Sequence, residues 1–192
     1  MLPQRDRDQG RDAAAFPRGR NKAMRTVPAP SRTIRQARNR SAMREIHVLN
    51  GPNLNLLGRR EPAIYGAATL AEIEAELAAA GAARGIELTF RQTNSEGELV
   101  TFVQEAGLAG AGVILNAGAY THTSIALHDA IRASGAKVVE VHLSNIYSRE
   151  SFRSHSFISP VALGGIFGFG ALGYRLALDA LLSLAEQNRA AS

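Results

Sequence analysis

GVILNAGAYTHTSIALHDAIRASGAKVVEVHLS, residues 112–144, contains two apolar runs with a helix-like segment between them. The runs Gly112–Asn116 and Lys137–Ser144 are short and rich in valine, isoleucine and leucine, which is typical of buried strands. The segment between them, Thr121–Ser134, has the length and apolar spacing of a helix. A strand, a helix and a strand in this order predict two parallel strands joined by a crossover helix.

The same alternation continues on both sides of this stretch. Three more strands are predicted, at Arg44–Asn50, Ile86–Gln92 and the glycine-rich Leu163–Phe169. Three more helices are predicted, at Thr69–Arg84, Glu96–Leu108 and Leu172–Gln187, the first of them opened by a Thr69–Glu72 capping box. Five strands alternating with helices predict an α/β domain with a parallel sheet covered on both faces. The chain length favours the flavodoxin-like strand order 2-1-3-4-5.

The composition limits the kind of protein. Of the 192 residues, 45% are hydrophobic and 20% are charged, the balance of a globular domain. There is no apolar run of about eighteen residues, so we expect no membrane partner. There is no cysteine, which excludes disulfides and thiolate chemistry and agrees with a cytoplasmic location.

The first 42 residues differ in composition from the rest. They hold 11 of the 22 lysines and arginines but only 3 of the 17 acidic residues, so the positive charge lies in this tail. Four interpretations are open: a disordered extension, a transit peptide, a nucleic-acid arm, or a wrongly chosen start codon with Met43 as the native start. Acidic residues disfavour a transit peptide, and the lack of aromatic platforms disfavours a nucleic-acid partner. We expect disorder or a misplaced start, and one catalytic domain at 43–192.

Three predicted strands end in polar segments. The first strand ends in Asn50–Asn53, the third in Asn116–Ser124, and the fourth in His142–Asn145, which continues to Arg149 and Arg153. Because ligands bind at the carboxyl ends of parallel strands, near the switch between the first and third, these segments should meet in one crevice. Amides, hydroxyls, histidines and arginines, with little carboxylate, favour a small polyhydroxylated anion as ligand.

A long polar loop follows the first strand, LNGPNLNLLGRREPAIYG at residues 49–66. It has neither a helical nor a strand period, and it is several times longer than the usual loop of about 4–6 residues. Loops of this length in compact domains are often functional, and a mobile loop can close over a ligand to exclude water. We therefore expect this loop to carry part of an active site.

These segments together resemble the type II 3-dehydroquinate dehydratases. The resemblance runs through LNGPNLNLLGRREPAIYG, RQTNSEGELV, ILNAGAYTHTSIALHDA, EVHLSNIYSRESFRSHS and the glycine-rich end, from Arg44 to about Leu184. It implies the removal of water from 3-dehydroquinate to give 3-dehydroshikimate, in aromatic biosynthesis (the shikimate pathway) or quinate breakdown. It further implies a flavodoxin-like fold, no cofactor, no metal, and a homododecamer built from four trimers.

The resemblance also implies roles for four catalytic residues. Tyr65 would be the general base that removes a proton beside the ketone, and Arg60 would stabilise the tyrosinate and the developing enolate. His142 would be the acid that protonates the departing hydroxyl, and Asn53 would hold an ordered water against the enolate. The elimination would then pass through an enolate and need no Schiff base.

Further residues are implied in substrate binding. Glu140 would orient His142, and Asp129 would reach the site of a neighbouring subunit. At position 119 this chain has alanine where some members have glycine, and a backbone contact there should survive. The residues that would contact substrate directly are Asn116, His122, Leu143, Ser144, Arg153 and, from its loop, Arg149. We also expect the spacing of seven on the predicted helix to put His122 and Asp129 on one face.

Simple electrostatics supports Tyr65 as a base. A tyrosine hydroxyl has a pKa near 10, so a base working near neutral pH needs a drop of roughly three units, about 4 kcal/mol. One arginine about 5 Å away supplies roughly 3 kcal/mol at an effective dielectric near 20, so we expect a second cation or the closed loop to supply the rest. The only lysines are Lys22 in the tail and Lys137 at the entry end of the fourth strand, so imine chemistry lacks an amine at the crevice.

Other functions fit parts of the sequence less well. A flavin- or phosphate-binding module needs a Ser/Thr/Gly phosphate loop after the first strand, and the sequence NGPNLNLLGRR is not such a loop. A receiver-type signalling domain needs an acidic pocket, but the first and third strands here end in asparagine. Residues 168–173, GFGALG, match a dinucleotide motif but lack the further strand and acidic residue; we expect them to allow close packing of the last strand and helix, or of subunits. A catalytically inactive shell-forming oligomer stays open. No metal site is expected. We predict that His47 lies in the core of its strand, that His128 lies on the surface of its helix, and that His155 helps to hold its loop.

Overall fold

The computed structural model describes residues 43–58 and 68–190, and in this part of the chain five strands alternate with four α-helices. The strands are β1 (Glu45–Asn50), β2 (Glu87–Gln92), β3 (Gly112–Asn116), β4 (Lys137–His142) and β5 (Gly164–Phe167). The α-helices are α1 (Leu70–Ala82), α2 (Glu96–Ala109), α3 (Ile125–Ser134) and α4 (Leu172–Ala190). The predicted elements are confirmed, with one helix start displaced. The predictions for residues 1–42 fall outside the described residues.

All five strands are parallel, in the order β2-β1-β3-β4-β5. This is the predicted flavodoxin-like order. Asn50 at the end of β1 lies in register with Asn116 at the end of β3 and with Gln92 at the end of β2. The chain leaves β1 for β2 on one side and reaches β3 on the other, so the crevice expected at a topological switch point lies at these ends.

Helices cover both faces of the sheet and make two apolar layers. On one face, Ile46, Val48 and Ile114 pack against residues of α1 and α4, including Leu77 and Leu178. On the other face, strand residues pack against α2 and α3, in a layer that contains Leu49, Val113, Leu115, Leu99, Val103, Leu127 and Ile131. With both faces buried, the central strands have the continuous apolar runs from which they were predicted.

The capping box at the start of α1 is confirmed. The Thr69 amide donates to Glu72 Oε2 at 2.7 Å, and the Glu72 amide donates to the Thr69 hydroxyl at 3.2 Å. The hydrogen bonds from the backbone and hydroxyl of Thr69 hold the pKa of the Glu72 carboxyl below its usual value. This helix therefore begins where the sequence predicts it.

The start of α3 differs from the prediction. The predicted helix Thr121–Ser134 begins only at Ile125, and Gly118–His122 forms a separate 3-10 helix. The Ser124 hydroxyl accepts a hydrogen bond from the Leu127 amide at 2.9 Å and so caps α3. His122 therefore precedes the helix, and the argument from helical spacing that put it on one face with Asp129 is wrong.

The glycine motif after β5 forms a left-handed turn. Gly168 and Gly170 have φ values of 88° and 56°, which glycine adopts at little cost. Their amides donate to the carbonyls of His142 at 3.1 Å and of Leu143 at 2.9 Å. The turn thus fixes the backbone at the end of β4. Of the helices that the structure describes, none has the length and apolar character to cross a membrane.

Candidate active site

A cleft opens at the carboxyl ends of β1, β3 and β4. The space inside it, including the open solvent at its mouth, is about 700 Å³. Among the described residues, its lining comprises Pro52, Asn53, Leu54, Leu57, Asn116, Gly118, Ala119, His122, His142, Leu143, Ser144, Ile146, Arg149 and Arg153. No carboxylate occurs among these, and two arginines do. The described part of the cleft therefore suits an anion.

Most of the predicted site residues line this cleft. Two of the predicted residues, Arg60 and Tyr65, lie outside the described part of the chain, and their roles stay predictions. Asp129 is exposed on α3 and is not part of the lining, and Glu140 lies buried behind His142. The predicted residues that the fold brings together are Asn53, Asn116, His122, His142, Leu143, Ser144, Arg149 and Arg153.

His142 ends β4 with its ring oriented by Glu140. The ring is buried, and its Nε2 lies 3.0 Å from Glu140 Oε1 and 3.3 Å from the Thr121 hydroxyl. Because Nε2–H donates to the carboxylate, Nδ1 is the nitrogen left for a ligand. Nδ1 has no hydrogen-bond partner within 43–58 and 68–190. In this arrangement the carboxylate can balance the charge of an imidazolium that donates a proton from Nδ1.

Glu140 is a fully buried carboxylate held by several donors. Besides His142, the hydroxyls of Thr121 at 3.2 Å, Ser156 at 2.9 Å and Ser159 donate to its two oxygens. Burial alone raises the pKa of the Glu140 carboxyl, but the hydrogen bonds from His142, Ser159 and Ser156 outweigh burial and leave the pKa below its usual value. Glu140 is therefore a carboxylate near neutral pH.

Replacing Glu140 by glutamine should destabilise the protein by about 2 kcal/mol near neutral pH, because the amide cannot accept from all these donors. The lowered pKa means that the carboxylate's contribution is fully present above the unfolded value of 4.5 and is lost as the pH falls through the folded value. The gap in thermal midpoint between the wild type and E140Q should therefore shrink as the pH falls below 4.5. A gap of constant size would contradict this, and Glu76→Gln on the exposed face of α1 is the matched control.

His122 is a neutral imidazole that presents an acceptor. Burial is the main cause that lowers its pKa, and the nearby positive charges of His142 and Arg153 act in the same direction. Its Nδ1 donates to the carbonyl of His155 at 2.7 Å, which leaves Nε2 as an acceptor for a ligand hydroxyl. The rings of His122 and His142 stack with centroids 6.2 Å apart.

The other histidines have structural positions. His47 is buried in β1, as predicted. His128 is half-buried rather than on the helix surface, since its Nδ1 donates to the Phe157 carbonyl at 2.8 Å; that prediction was wrong. His155 contributes its carbonyl to His122, and its ring packs edge-on against Phe157 with centroids 4.7 Å apart. Residues 155–157 are thus held against the start of α3.

Asn53 has an unusual backbone conformation at the edge of the cleft. It is the one non-glycine residue with positive φ in the described ranges, at φ 66° and ψ 0°. The backbone amide of Asn53 donates to Asn94 Oδ1 at 2.9 Å, and Gln92 Nε2 also donates to that oxygen at 3.1 Å. Gln92 Nε2 further contacts the Gly51 carbonyl at 3.2 Å. The last residue of β2 and a residue shortly after it therefore hold the corner that presents Asn53.

Arg149 and Arg153 share one carboxylate. Their Nε atoms lie 3.3 Å and 2.9 Å from Glu150 Oε2. The Arg153 guanidinium also lies 5.1 Å from the centre of the Phe152 ring. Hydrogen bonding to its backbone is the main cause of the lowered pKa of the exposed Glu150 carboxyl, and the two arginines add to it. Because two guanidinium groups share one carboxylate, the three side chains together keep a net positive charge beside the cleft.

Three supporting residues were not among the individually predicted site residues, although Asn50 belongs to a segment that was expected at the crevice. Asn94 holds the amide of Asn53, while Asn50 and Tyr174 form a buried hydrogen-bonded group with Asn116. The sequence does carry a signal for Asn50, since polar residues that end buried strands need partners. For Tyr174 there is little signal, because its position on α4 has the spacing of an ordinary core residue.

The fold and the cleft define the class of this protein: a flavodoxin-like α/β domain with a cationic, histidine-containing site at its switch point. Residues 44–182 match the family described as dehydroquinase class II. The chain belongs to this family, and it is an enzyme of the lyase class.

Individual relatives agree with this membership. The 3-dehydroquinate dehydratase of Azorhizobium caulinodans is 61% identical over 136 residues, which cover 71% of this chain and 92% of that protein. The crystal structure of type II dehydroquinase from Propionibacterium acnes is 43% identical, with a TM-score of 0.71, and covers 74% of this chain and 99% of its own. That from Butyrivibrio crossotus is 40% identical, also with a TM-score of 0.71, and covers 73% and 99%.

Proposed function

We propose that this chain dehydrates 3-dehydroquinate to 3-dehydroshikimate by acid–base elimination through an enolate, without a Schiff base. The observation that carries the proposal is the His142–Glu140 pair in a cleft lined by Arg149 and Arg153. Type II dehydroquinases at 40% and 43% identity share the fold, and a 3-dehydroquinate dehydratase is 61% identical. The reaction serves the shikimate pathway or quinate breakdown, and the cytoplasmic location expected from the sequence stays a prediction.

The proposed reaction moves one proton at each end. The tyrosinate of Tyr65, assisted by Arg60, takes a proton from the carbon beside the ketone, and the electron pair moves onto the ketone oxygen as an enolate. Asn53 holds a water that donates to this oxygen. The enolate then reforms the ketone and expels the hydroxyl on the next carbon, which takes a proton from His142 Nδ1 and leaves as water. A carbon–carbon double bond remains, and the proton on Tyr65 returns through solvent to His142.

The cleft supplies suitable partners for the rest of the substrate. Arg149 and Arg153 can bind the carboxylate, since guanidinium groups match its geometry. His122 Nε2 can accept from a hydroxyl, and Asn116 and Ser144 offer an amide and a hydroxyl to the remaining oxygens. Leu143 and the alanine at 119 shape the apolar wall, where alanine keeps the backbone amide that glycine would offer.

The absence of a Schiff base in the proposal is supported by the positions of the lysines. The chain has two, Lys22 and Lys137. Lys137 begins β4, whereas His142 ends it. The exposed lysine therefore lies at the amino end of the strand, and the cleft lies at the carboxyl end. An amine in this position is not available for an imine with a ketone bound in the cleft, while Lys22 lies outside the described residues. Acid–base elimination needs only groups that the cleft and the loop 49–66 provide.

The experiment that tests this function is ultraviolet absorbance with 3-dehydroquinate. The product is a conjugated enone and the substrate is not, so turnover raises the absorbance. We expect equal rates from the full chain and from a chain that starts at Met43, and no loss when borohydride is present. Inhibition by borohydride would point to an imine and overturn the mechanism. A flat trace from both chains would overturn the activity and leave an inactive shell-forming oligomer as the better interpretation.

We further propose a homododecamer of four trimers, in which Asp129 completes the site of a neighbouring subunit. Asp129 is exposed on α3 and does not line the cleft of its own chain. The apolar side chains left exposed on the described surface support assembly; beside the edge strand β5 they are Leu163, Phe169, Leu172 and Leu176. Light scattering should give the mass of twelve chains.

Mixing two inactive variants should restore activity if Asp129 acts between subunits. Asp129→Asn and His142→Ala are each expected to lose most turnover. In a mixed assembly, a subunit with intact His142 can receive Asp129 from a neighbour, so refolding the two variants together should recover up to about a quarter of wild-type activity. Mixing the folded proteins without subunit exchange is the control. No recovery in verified mixed assemblies would show that Asp129 acts within its own chain or not at all.

A further inference from the structure

A tyrosine hydroxyl joins the ends of β1 and β3 beneath the cleft. Tyr174 on α4 is fully buried, and its hydroxyl lies 2.6 Å from Asn50 Oδ1 and 2.9 Å from Asn116 Nδ2. Asn50 is fully buried, whereas Asn116 lines the cleft. A hydrogen-bonded group of three side chains therefore leads from inside the core to the candidate site.

The direction of every hydrogen bond in this group follows from the backbone at its two ends. Asn50 Nδ2 donates to the Arg91 carbonyl at 3.3 Å, so Asn50 Oδ1 faces Tyr174 as an acceptor. The phenol must then donate its single hydrogen to Asn50 and can only accept from Asn116. At the other end, the Gly118 amide donates to Asn116 Oδ1 at 3.3 Å. Both ends thus require the same orientation of the Asn116 amide.

We propose that Tyr174 is a positioning residue for substrate binding, which holds Asn116 so that it presents an N–H donor to the cleft. One hydrogen of Asn116 Nδ2 goes to Tyr174, and the second has no acceptor among the described residues. The substrate atom opposite Asn116 is then an acceptor oxygen, of a carboxylate or hydroxyl. This inference rests on the proposed function, in which Asn116 contacts substrate.

The phenol suits this role better than a role in proton transfer. Burial raises the pKa of Tyr174 far above its usual value, and the hydrogen bond from Asn116 offsets only part of that rise. Tyr174 is therefore a neutral phenol at working pH, with a fixed donor and a fixed acceptor side. The ring by itself packs in the apolar layer with Leu178 and Leu181, which phenylalanine could fill equally well. Within the Tyr174 side chain, the hydroxyl is the part that contacts the two asparagines, and it adds to the backbone contacts that orient them.

The test removes the hydroxyl and asks whether the effect passes through Asn116. Tyr174→Phe should raise KM for 3-dehydroquinate about tenfold and change kcat less, because a buried hydrogen-bond partner is lost on the binding side. In an Asn116→Ala background the same change should alter kcat/KM less than about twofold, since a double-mutant cycle isolates the shared contact. Tyr147→Phe, which removes the same atom from an exposed ring, is the matched control.

The outcomes separate this inference from the proposed function. Equal tenfold losses with and without Asn116 would show that Tyr174 does not act through it. Thermal unfolding of the four ligand-free proteins in the cycle supplies a second measure, which does not need turnover. Coupled midpoints are expected, and strictly additive midpoints would overturn the Tyr174–Asn116 link. Should the wild type not turn over 3-dehydroquinate, the proposed function fails while this second measure still decides the link.

Discussion

His142→Ala is expected to lower kcat by about 10²- to 10⁴-fold, the usual contribution of a general acid. The loss should fall on elimination and not on proton abstraction, because Tyr65 and Arg60 would remain. In deuterated water the variant should therefore still exchange the acidic hydrogen beside the ketone. Mass spectrometry of recovered substrate measures this exchange, and absorbance measures elimination. The separation of the two steps is what the imidazole held by Glu140 predicts.

Loss of exchange together with elimination in His142→Ala would contradict the assignment of His142 as the acid and make it part of the base. His155→Ala is the matched control, because that side chain is exposed and only its carbonyl contacts His122. The control should retain wild-type elimination and exchange. Thermal midpoints of both variants check that the fold is intact.

Tyr65→Phe is expected to abolish turnover, with a loss of about 10²- to 10⁴-fold or more, while the assembly stays intact. This change should stop both elimination and deuterium exchange, since the base acts in the first chemical step. The contrast with His142→Ala is the main diagnostic, because one variant exchanges hydrogen without eliminating and the other does neither. Light scattering checks the assembly.

Unchanged turnover in Tyr65→Phe would overturn the assignment of the base. Retained exchange with lost elimination would instead give Tyr65 the role of the acid. Tyr147→Phe is again a suitable control, since its ring is exposed and packs edge-on against Phe167 at 5.9 Å between centroids. An arginine about 5 Å from the phenol supplies roughly 3 kcal/mol toward its ionisation, so Arg60→Ala should move the pH profile of kcat upward.

The sequence predicted the sheet well for a physical reason. Strands such as Gly112–Asn116 are buried on both faces. An apolar run of that length between turn residues is too short for a helix and is typical of a buried strand. Parallel strands also have their carboxyl ends on one edge, so the meeting of Asn53, Asn116 and His142 in one cleft follows from the strand order alone.

The errors and omissions have a common cause in side-chain hydrogen bonds. The Ser124 side chain caps α3 at its start, and the polar run before it does not show that the helix begins there and not at Thr121. Tyr174 forms hydrogen bonds with partners 58 and 124 positions away along the chain, and the sequence near position 174 carries no signal for these partners. Residues 59–67 hold Arg60 and Tyr65, whose roles stay predictions.

Position 53 is subject to two independent demands. Its left-handed backbone admits glycine and, among the other residues, favours asparagine and aspartate, while the proposed water needs an amide side chain. Glycine would satisfy the backbone and lose the chemistry, glutamine would keep an amide and strain the backbone, and aspartate would add a negative charge facing an enolate. Under the proposed mechanism, each of these three substitutions therefore loses one of the two properties that asparagine combines at position 53.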